Sequence, residues 1–229
     1  MAYIDVTLID HMGSDLSVCN AARVSFAKES VPHPSGSLYE HDEKLISYLA
    51  NHNHKSPFNH CFASFRVKAP VFVARQLVKH EYMPWNEISR RYVDSIPEFY
   101  TPEAWRKRAD NVKQGSSSEI VQKIKWGCDN ASPDDAFEDA LALCEEAYES
   151  LLAAGVCPEL ARTVLPQAMM TEWIWSGSLF AIAKMCKLRL DPHTQYETQL
   201  VAIAIDEYMR DLFPVSWKAL LDGNGTGIN

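Results

Sequence analysis

The segment Arg75-Gln-Leu-Val-Lys-His-Glu-Tyr-Met-Pro-Trp-Asn-Glu-Ile-Ser-Arg-Arg-Tyr92 sets this chain apart from an ordinary acidic globular protein. It gathers Arg75, Lys79, Arg90 and Arg91 with Gln76, His80, Asn86, Glu87 and Ser89. Packing alone rarely needs so dense a mix of cations, amides, a hydroxyl and a carboxylate, because each loses hydration on burial. A phosphate-bearing ligand that also forms hydrogen bonds would use all of them.

The first half of the segment reads as a helix. Pro70 suits a first helical position, and the pattern runs to about His80. On such a helix Arg75 and Lys79 share one face, as do Gln76 and His80. Pro84 ends it. Beyond Pro84 an extended chain would send Glu87, Ser89 and Arg91 to one side, with Ile88, Arg90 and Tyr92 on the other. That arrangement predicts a wall for a sugar phosphate.

Around this segment the chain alternates strand and helix signals. Strands are expected at Tyr3–Ile9 and Cys61–Lys68, with a polar turn at His54–His60 between helices and strand. Helices are expected over Leu16–Val24, Glu43–His52, Leu179–Leu188 and Thr194–Phe213. Ser132-Pro-Asp-Asp135 opens a long amphipathic helix that should stop near Gly155, and Pro158 opens a short one holding Arg162. Gln114–Ser118 reads as a mobile surface loop.

Composition narrows the class. The chain has 229 residues, 47% hydrophobic and 23% charged, enough to bury one core. Its net charge of −8 disfavours a nucleic-acid backbone as partner, since that rewards a broad basic surface. No apolar run is long enough to span a membrane, and the start lacks a basic region followed by an apolar one. Six cysteines are scattered without Cys-x-x-Cys spacing, which suits reduced thiols in the cytoplasm. His52, His54 and His60 lack a partner carboxylate or thiolate at zinc spacing, so no metal is expected. The absence of Gly-x-Gly-x-x-Gly argues against a Rossmann dinucleotide fold.

The residues then match a known pattern. Lys68-Ala-Pro-Val-Phe-Val-Ala-Arg-Gln76 followed by Asn86-Glu-Ile-Ser-Arg-Arg-Tyr92 resembles the defining region of flavin-dependent thymidylate synthases. Three further blocks agree in order: Ala21-Ala-Arg-Val-Ser25, His54-x-Ser-Pro-Phe-x-His60, and Ala161-Arg-Thr-Val-Leu-Pro166 with Leu188-Arg-Leu-Asp-Pro-His-Thr-Gln-Tyr-Glu197. The resemblance implies an α+β fold: a single domain over residues 1–222 with a central, mainly antiparallel sheet flanked by long helices, then a flexible tail at 223–229. It also implies a homotetramer with shared active sites. The implied reaction is reductive methylation of dUMP to dTMP, with FAD as cofactor and NADPH and 5,10-methylenetetrahydrofolate as co-substrates. Two other readings stay open: a related flavin and folate enzyme making another C5-modified dUMP, and a catalytically silent nucleotide-binding oligomer.

Carried over position by position, the resemblance makes Arg189 the catalytic residue. It places dUMP against Gln76, Leu77, Val78, Lys79, Glu87, Ile88, Ser89, Arg90, Arg91, Arg162 and Arg189. FAD is implied at His54, Ser56, Lys79, His80, Glu81, Glu87, Ser178 and Lys184. Making C5 of uracil nucleophilic develops negative charge on N3 and the carbonyl oxygens, which a fixed guanidinium stabilises. Taken alone, Arg189 reads equally well as a cation closing a helix C-terminus. The phosphate suits arginine because a planar fork can hold two oxygens. The chain departs from the family at Lys79-His80-Glu81, where Arg-His-Arg is usual. Lysine keeps the charge without the fork, and Glu81 reverses it. Lys184 is a candidate replacement cation.

Overall fold

Strand β2 (Phe62–Pro70) puts Ala63, Phe65, Val67 and Ala69 on one face, each at most 1% exposed. This alternation of buried and open positions is the period of two of a strand with one covered face. The computed structural model describes residues 2–110 and 115–223. It places β2 inside a four-stranded sheet of order β1-β2-β8-β3, with β1 (Asp5–Met12), β8 (Met170–Ser178) and β3 (Trp85–Glu87). All three pairings are antiparallel. Phe65 lies opposite Trp175, and Val67 opposite Trp173, so aromatic and aliphatic groups stack across strands on the covered face.

Helices α1 (Asp15–Arg23), α2 (Glu40–Asn51), α6 (Leu179–Arg189), α7 (Tyr196–Leu212) and α8 (Pro214–Asp222) build the core with that face. Helix α6 follows β8 directly. Ser178 ends the strand and caps the helix, its hydroxyl accepting from the Ala181 N–H at 3.2 Å. Leu179, Ile182, Ala183, Met185 and Cys186 of α6 are fully buried, so this helix runs through the core instead of over it. Helix α8 starts at Pro214, where its first amides are capped from afar: Asp15 accepts from Val215 and Ser216 at 2.9 and 2.8 Å. The mixed fold and antiparallel sheet agree with the sequence reading.

Helix α4 (Pro133–Ala153) is the longest, and its start is as expected. Ser132 and Asp135 exchange side-chain to backbone hydrogen bonds at 3.0 and 3.3 Å, a reciprocal cap. It ends at Ala153, and Gly155, with φ of +84°, closes the last turn by donating to the Leu152 carbonyl. The short α5 (Pro158–Ala161) leads into a 3-10 turn at Arg162–Val164. Among the described helices none is long and apolar enough to cross a membrane.

Four expectations change. Helix α3 spans Val71–Leu77 only, with Pro70 as its N-cap, so Lys79 and His80 lie past its end in a turn that reverses at Tyr82 (φ 60°). The extended run after Pro84 stops at Ile88, whose N–H reaches the Glu172 carbonyl. Ser89–Tyr92 forms a turn closed by Tyr92 and Val93 amides on the Ser89 carbonyl, so the alternation of Ser89, Arg90 and Arg91 across a strand does not hold. Ser116–Ser118 is not loop: β5 (Ser116–Ile120) pairs with β4 (Arg106–Arg108), and a second small hairpin joins β6 (Ile124–Trp126) to β7 (Asp129–Ala131). Gln114 and residues 224–229 of the expected tail lie outside the described residues, while Gly223 is tied down, its carbonyl accepting from Lys187 at 2.5 Å.

Candidate active site

A cleft of about 960 Å³ opens between α3, the end of α6, the start of α7 and the β4–β5 hairpin. Its polar wall is made by Gln76, Lys79, Arg189, Gln195 and Glu197, and Arg106 stands on the hairpin side. Phe72, Tyr100, Trp105 and Phe137 supply flat apolar surface. Such a cleft, with a few converging polar groups in an aromatic setting, suits a planar, hydrogen-bonding ligand.

Arg189 is the last residue of α6, where the helix dipole favours a cation. Its side chain does more than face solvent there. Nε donates to Nε2 of His80 at 3.0 Å, and Nη2 donates to the Gln76 carbonyl at 3.1 Å. Burial lowers the Arg189 pKa from its ordinary value. Burial, then the neighbouring Arg189 and Lys184 charges, hold His80 down at about 4. His80 is therefore neutral at physiological pH and can accept a hydrogen bond from the guanidinium. Its ring lies 6.3 Å from that of Trp175.

Gln76 is locked at both ends. Its amide nitrogen donates to Gln195 Oε1 at 2.5 Å, and its amide oxygen accepts from the Thr198 hydroxyl at 3.2 Å. One short network thus joins α3, α6 and α7 around the cleft. Each of these four bonds joins residues 109 to 122 positions apart along the chain.

The other dUMP candidates fall into two groups. Leu77 is fully buried in the core, and Val78 and Ile88 are half exposed. Glu87 accepts from Thr171 at 2.7 Å and from Trp85 Nε1 at 3.0 Å, which commits both carboxylate oxygens to the edge of the sheet. Ser89, Arg90, Arg91 and Arg162 lie away from the cleft wall. Ser89 accepts the Arg91 N–H at 3.3 Å, Arg90 reaches the Ser95 carbonyl, and Arg91 reaches the Tyr92 hydroxyl. That Tyr92 contact, and the nearby Glu159 carboxylate, raise the Arg91 pKa. Arg162 donates to the Glu159 carbonyl at 3.3 Å. Glu159 is thus the common neighbour of the two arginines, its carbonyl bonded to Arg162 and its carboxylate acting on the Arg91 charge.

The flavin candidates are spread over the turn before β2, the turn after α3, strand β3 and helix α6. His54 and Ser56 begin a 3-10 turn (Ser56–His60) and are exposed. Lys55 Nζ lies 5.4 Å over the Phe180 ring, which brings that turn beside α6, where Lys184 stands one helical turn further on. Exposed hydroxyl, imidazole and ammonium groups around an aromatic face fit a diphosphate-bearing ring cofactor in donor chemistry. Glu81 is exposed and makes no side-chain hydrogen bond among the described residues. Ser178 does not fit: it is 6% exposed, and its hydroxyl caps α6 while donating to Asn59 at 2.7 Å.

Sequence reasoning missed Arg106. It donates to Glu197 at 2.7 Å and to Ser116 at 3.0 Å, with its guanidinium 4.8 Å over the Tyr196 ring. The only local signal was a cationic cluster, Arg106-Lys-Arg108, in an acidic chain. All six cysteines are free; burial pushes Cys19 up to about 12 and Cys61 up to about 11, which disfavours the reactive thiolate at these two.

Comparison with known proteins agrees. Residues 7–215 match the family model described as thymidylate synthase complementing protein. A flavin-dependent thymidylate synthase from Thermus thermophilus is 38% identical, covering 95% of this chain and 77% of that protein. The enzyme of that name from Kosmotoga olearia is 38% identical over 97% and 92%. The crystal structure of a UMP/dUMP methylase, PolB, from Streptomyces cacaoi bound with 5-Br dUMP superposes with a TM-score of 0.79 at 30% identity, covering 98% of this chain and 97% of that one. With the match running through the sheet, the helices and every element of the cleft, the chain belongs to the flavin-dependent thymidylate synthase family.

Proposed function

We propose that this protein methylates dUMP to dTMP, using 5,10-methylenetetrahydrofolate as carbon donor and NADPH as reductant. The observation that carries this reading is the guanidinium of Arg189, held in the cleft by His80 and by the Gln76 carbonyl. A cation fixed in advance stabilises charge as it develops on the pyrimidine edge without reorganising at the moment of reaction. FAD, when bound, supplies the reducing equivalents. The protein's own share is to bind, orient and polarise.

In this reading Gln76 and Lys79 line the base and sugar, with Leu77, Val78 and Ile88 contributing backbone and apolar contact. Ser89, Arg90, Arg91 and Arg162 take the phosphate, and Glu87 keeps the sheet edge in register beneath them. His54, Ser56, Lys79, His80, Glu81, Glu87 and Lys184 surround the flavin; Ser178 is withdrawn because its hydroxyl is already committed. The phosphate turn and the cleft are separate walls within one chain. A homotetramer would let one subunit's turn complete another's cleft and would cover Tyr82 and Tyr92, which are 85% and 76% exposed. Free thiols at all six cysteines suit work in the cytoplasm. Residues 1–222 act as one catalytic domain.

The test is turnover by the flavin-loaded protein with dUMP, methylenetetrahydrofolate and NADPH. The product should have the mass of dTMP, and the yellow flavin should bleach with NADPH in the absence of oxygen. UMP serves as the comparison substrate, because the similar solved structure is of a UMP/dUMP methylase. A product of another mass, or protein that cannot be loaded with flavin, would reject the reading.

A further inference from the structure

Trp105 and Arg106 are neighbours in sequence that anchor in opposite directions. Trp105 donates from Nε1 to Asp134 at 2.8 Å and meets Phe137 edge-on at 5.2 Å, which ties the β4–β5 hairpin to the first turns of α4. Arg106 ties the same hairpin to the first turn of α7, through Glu197. Gly115 adds a second approach: a Cβ at that position would sit 3.6 Å from the His193 carbonyl, and its φ of +99° is one that side chains rarely adopt. The hairpin therefore bridges α4 and the α6–α7 turn across the mouth of the cleft.

Glu197 is the buried end of this clasp, its side chain 5% exposed against 23% for Arg106. A buried carboxylate needs its cation, so the pair cannot be broken from one side without leaving charge uncompensated. Arg106 also satisfies the Ser116 hydroxyl and covers the Tyr196 ring, which a lysine could not do at once. Directly next to Glu197 and Tyr196 are Gln195 and Thr198, the two residues that lock Gln76. Gln76 in turn lends its carbonyl to Arg189.

We propose that Arg106 is a positioning residue: its ion pair with Glu197 fixes the first turn of α7, and through Gln195 and Thr198 it holds Gln76 and Arg189 in register for the nucleotide. The inference rests on the reading of this cleft as the dUMP site. It assigns a role to the hairpin beyond covering surface.

Kinetics and hydrogen exchange on the flavin-loaded full chain test it. Arg106→Ala should lower kcat/KM for dUMP about tenfold, with most of the loss in KM, as expected when a binding group is misplaced rather than removed. Arg106→Lys, which keeps charge against Glu197 but not the fork, should lose only about threefold. Exchange should rise in β4 and β5 and also at the start of α7 and in α3. Where Arg106→Ala does not fold, Glu197→Gln carries the test: it keeps the shape of the side chain but removes the charge that holds the guanidinium, and kcat/KM should fall about threefold. Unchanged kcat/KM in both variants, or faster exchange confined to the hairpin, would overturn the proposal. Exchange needs no turnover, so a wild type that fails to methylate dUMP would reject the functional reading while the clasp is still decided.

Discussion

Arg189 and His80 form a donor and acceptor pair at 3.0 Å, joining the end of α6 to the turn after α3. The pair works in one protonation state only. A charged imidazole would have no lone pair at Nε2 and would face the Arg189 charge. Burial and the Arg189 and Lys184 cations on α6 keep His80 neutral down to about pH 4. The acceptor is thus present throughout the physiological range, and Arg189 stays aimed into the cleft.

Replacing Arg189 by alanine should abolish measurable dTMP formation, a loss of about a hundredfold to a thousandfold from removing one charge-stabilising group. The fold should persist, because the guanidinium lies at a helix end beside the cleft and outside the core cluster. Circular dichroism and product analysis check both halves. Near-normal turnover would remove Arg189 from the mechanism.

His80→Asn tests the pair from the other side. Turnover should fall about tenfold as Arg189 loses a fixed direction. The stability profile should change as well. In the unfolded chain His80 takes up a proton near its ordinary value of 6.5, while in the folded chain it resists down to about 4. The unfolded state therefore binds more protons between these values, so the wild type loses stability as pH falls through that window. Melting temperatures measured across it should slope less steeply in the variant.

Glu81→Arg restores the family's usual charge at an exposed position without a side-chain partner among the described residues. Flavin affinity should hold or tighten in a fluorescence titration, because a diphosphate favours the added cation. A clear loss of affinity would show that the Glu81 carboxylate has a positive role.

Asp15→Ala should destabilise the fold by about 2 kcal/mol, since it uncaps two amides at the start of α8 that no nearer group serves. Urea titration reads this directly. The variant should retain turnover, because Asp15 does not line the cleft and is bonded to α8.

How much of this could be read from the chain differs by element. Helix α4 announces itself locally, with serine, proline, two aspartates and a closing glycine all within its own length. Strand β8 escaped assignment although it is central to the sheet. Its run Met-Thr-Glu-Trp-Ile-Trp-Ser-Gly-Ser ends in residues that usually mark a turn, and only pairing with both β2 and β3 stabilises it. Helix α8 was missed for a related reason: its cap comes from Asp15, about two hundred positions earlier. Within the site, Arg189, Gln76 and Lys79 were legible through the family motif, and the structure brings them to one cleft. Arg106 carried no motif. Its meaning depends on Glu197, 91 positions away, and only the folded chain supplies that partner.

Crystals of the flavin-loaded protein soaked with dUMP test the central claim most directly. The pyrimidine carbonyl edge should lie within hydrogen-bond reach of the Arg189 guanidinium, with the phosphate between Arg91 and Arg162. Nucleotide bound elsewhere, with Arg189 still turned to His80 and touching no ligand atom, would contradict the account.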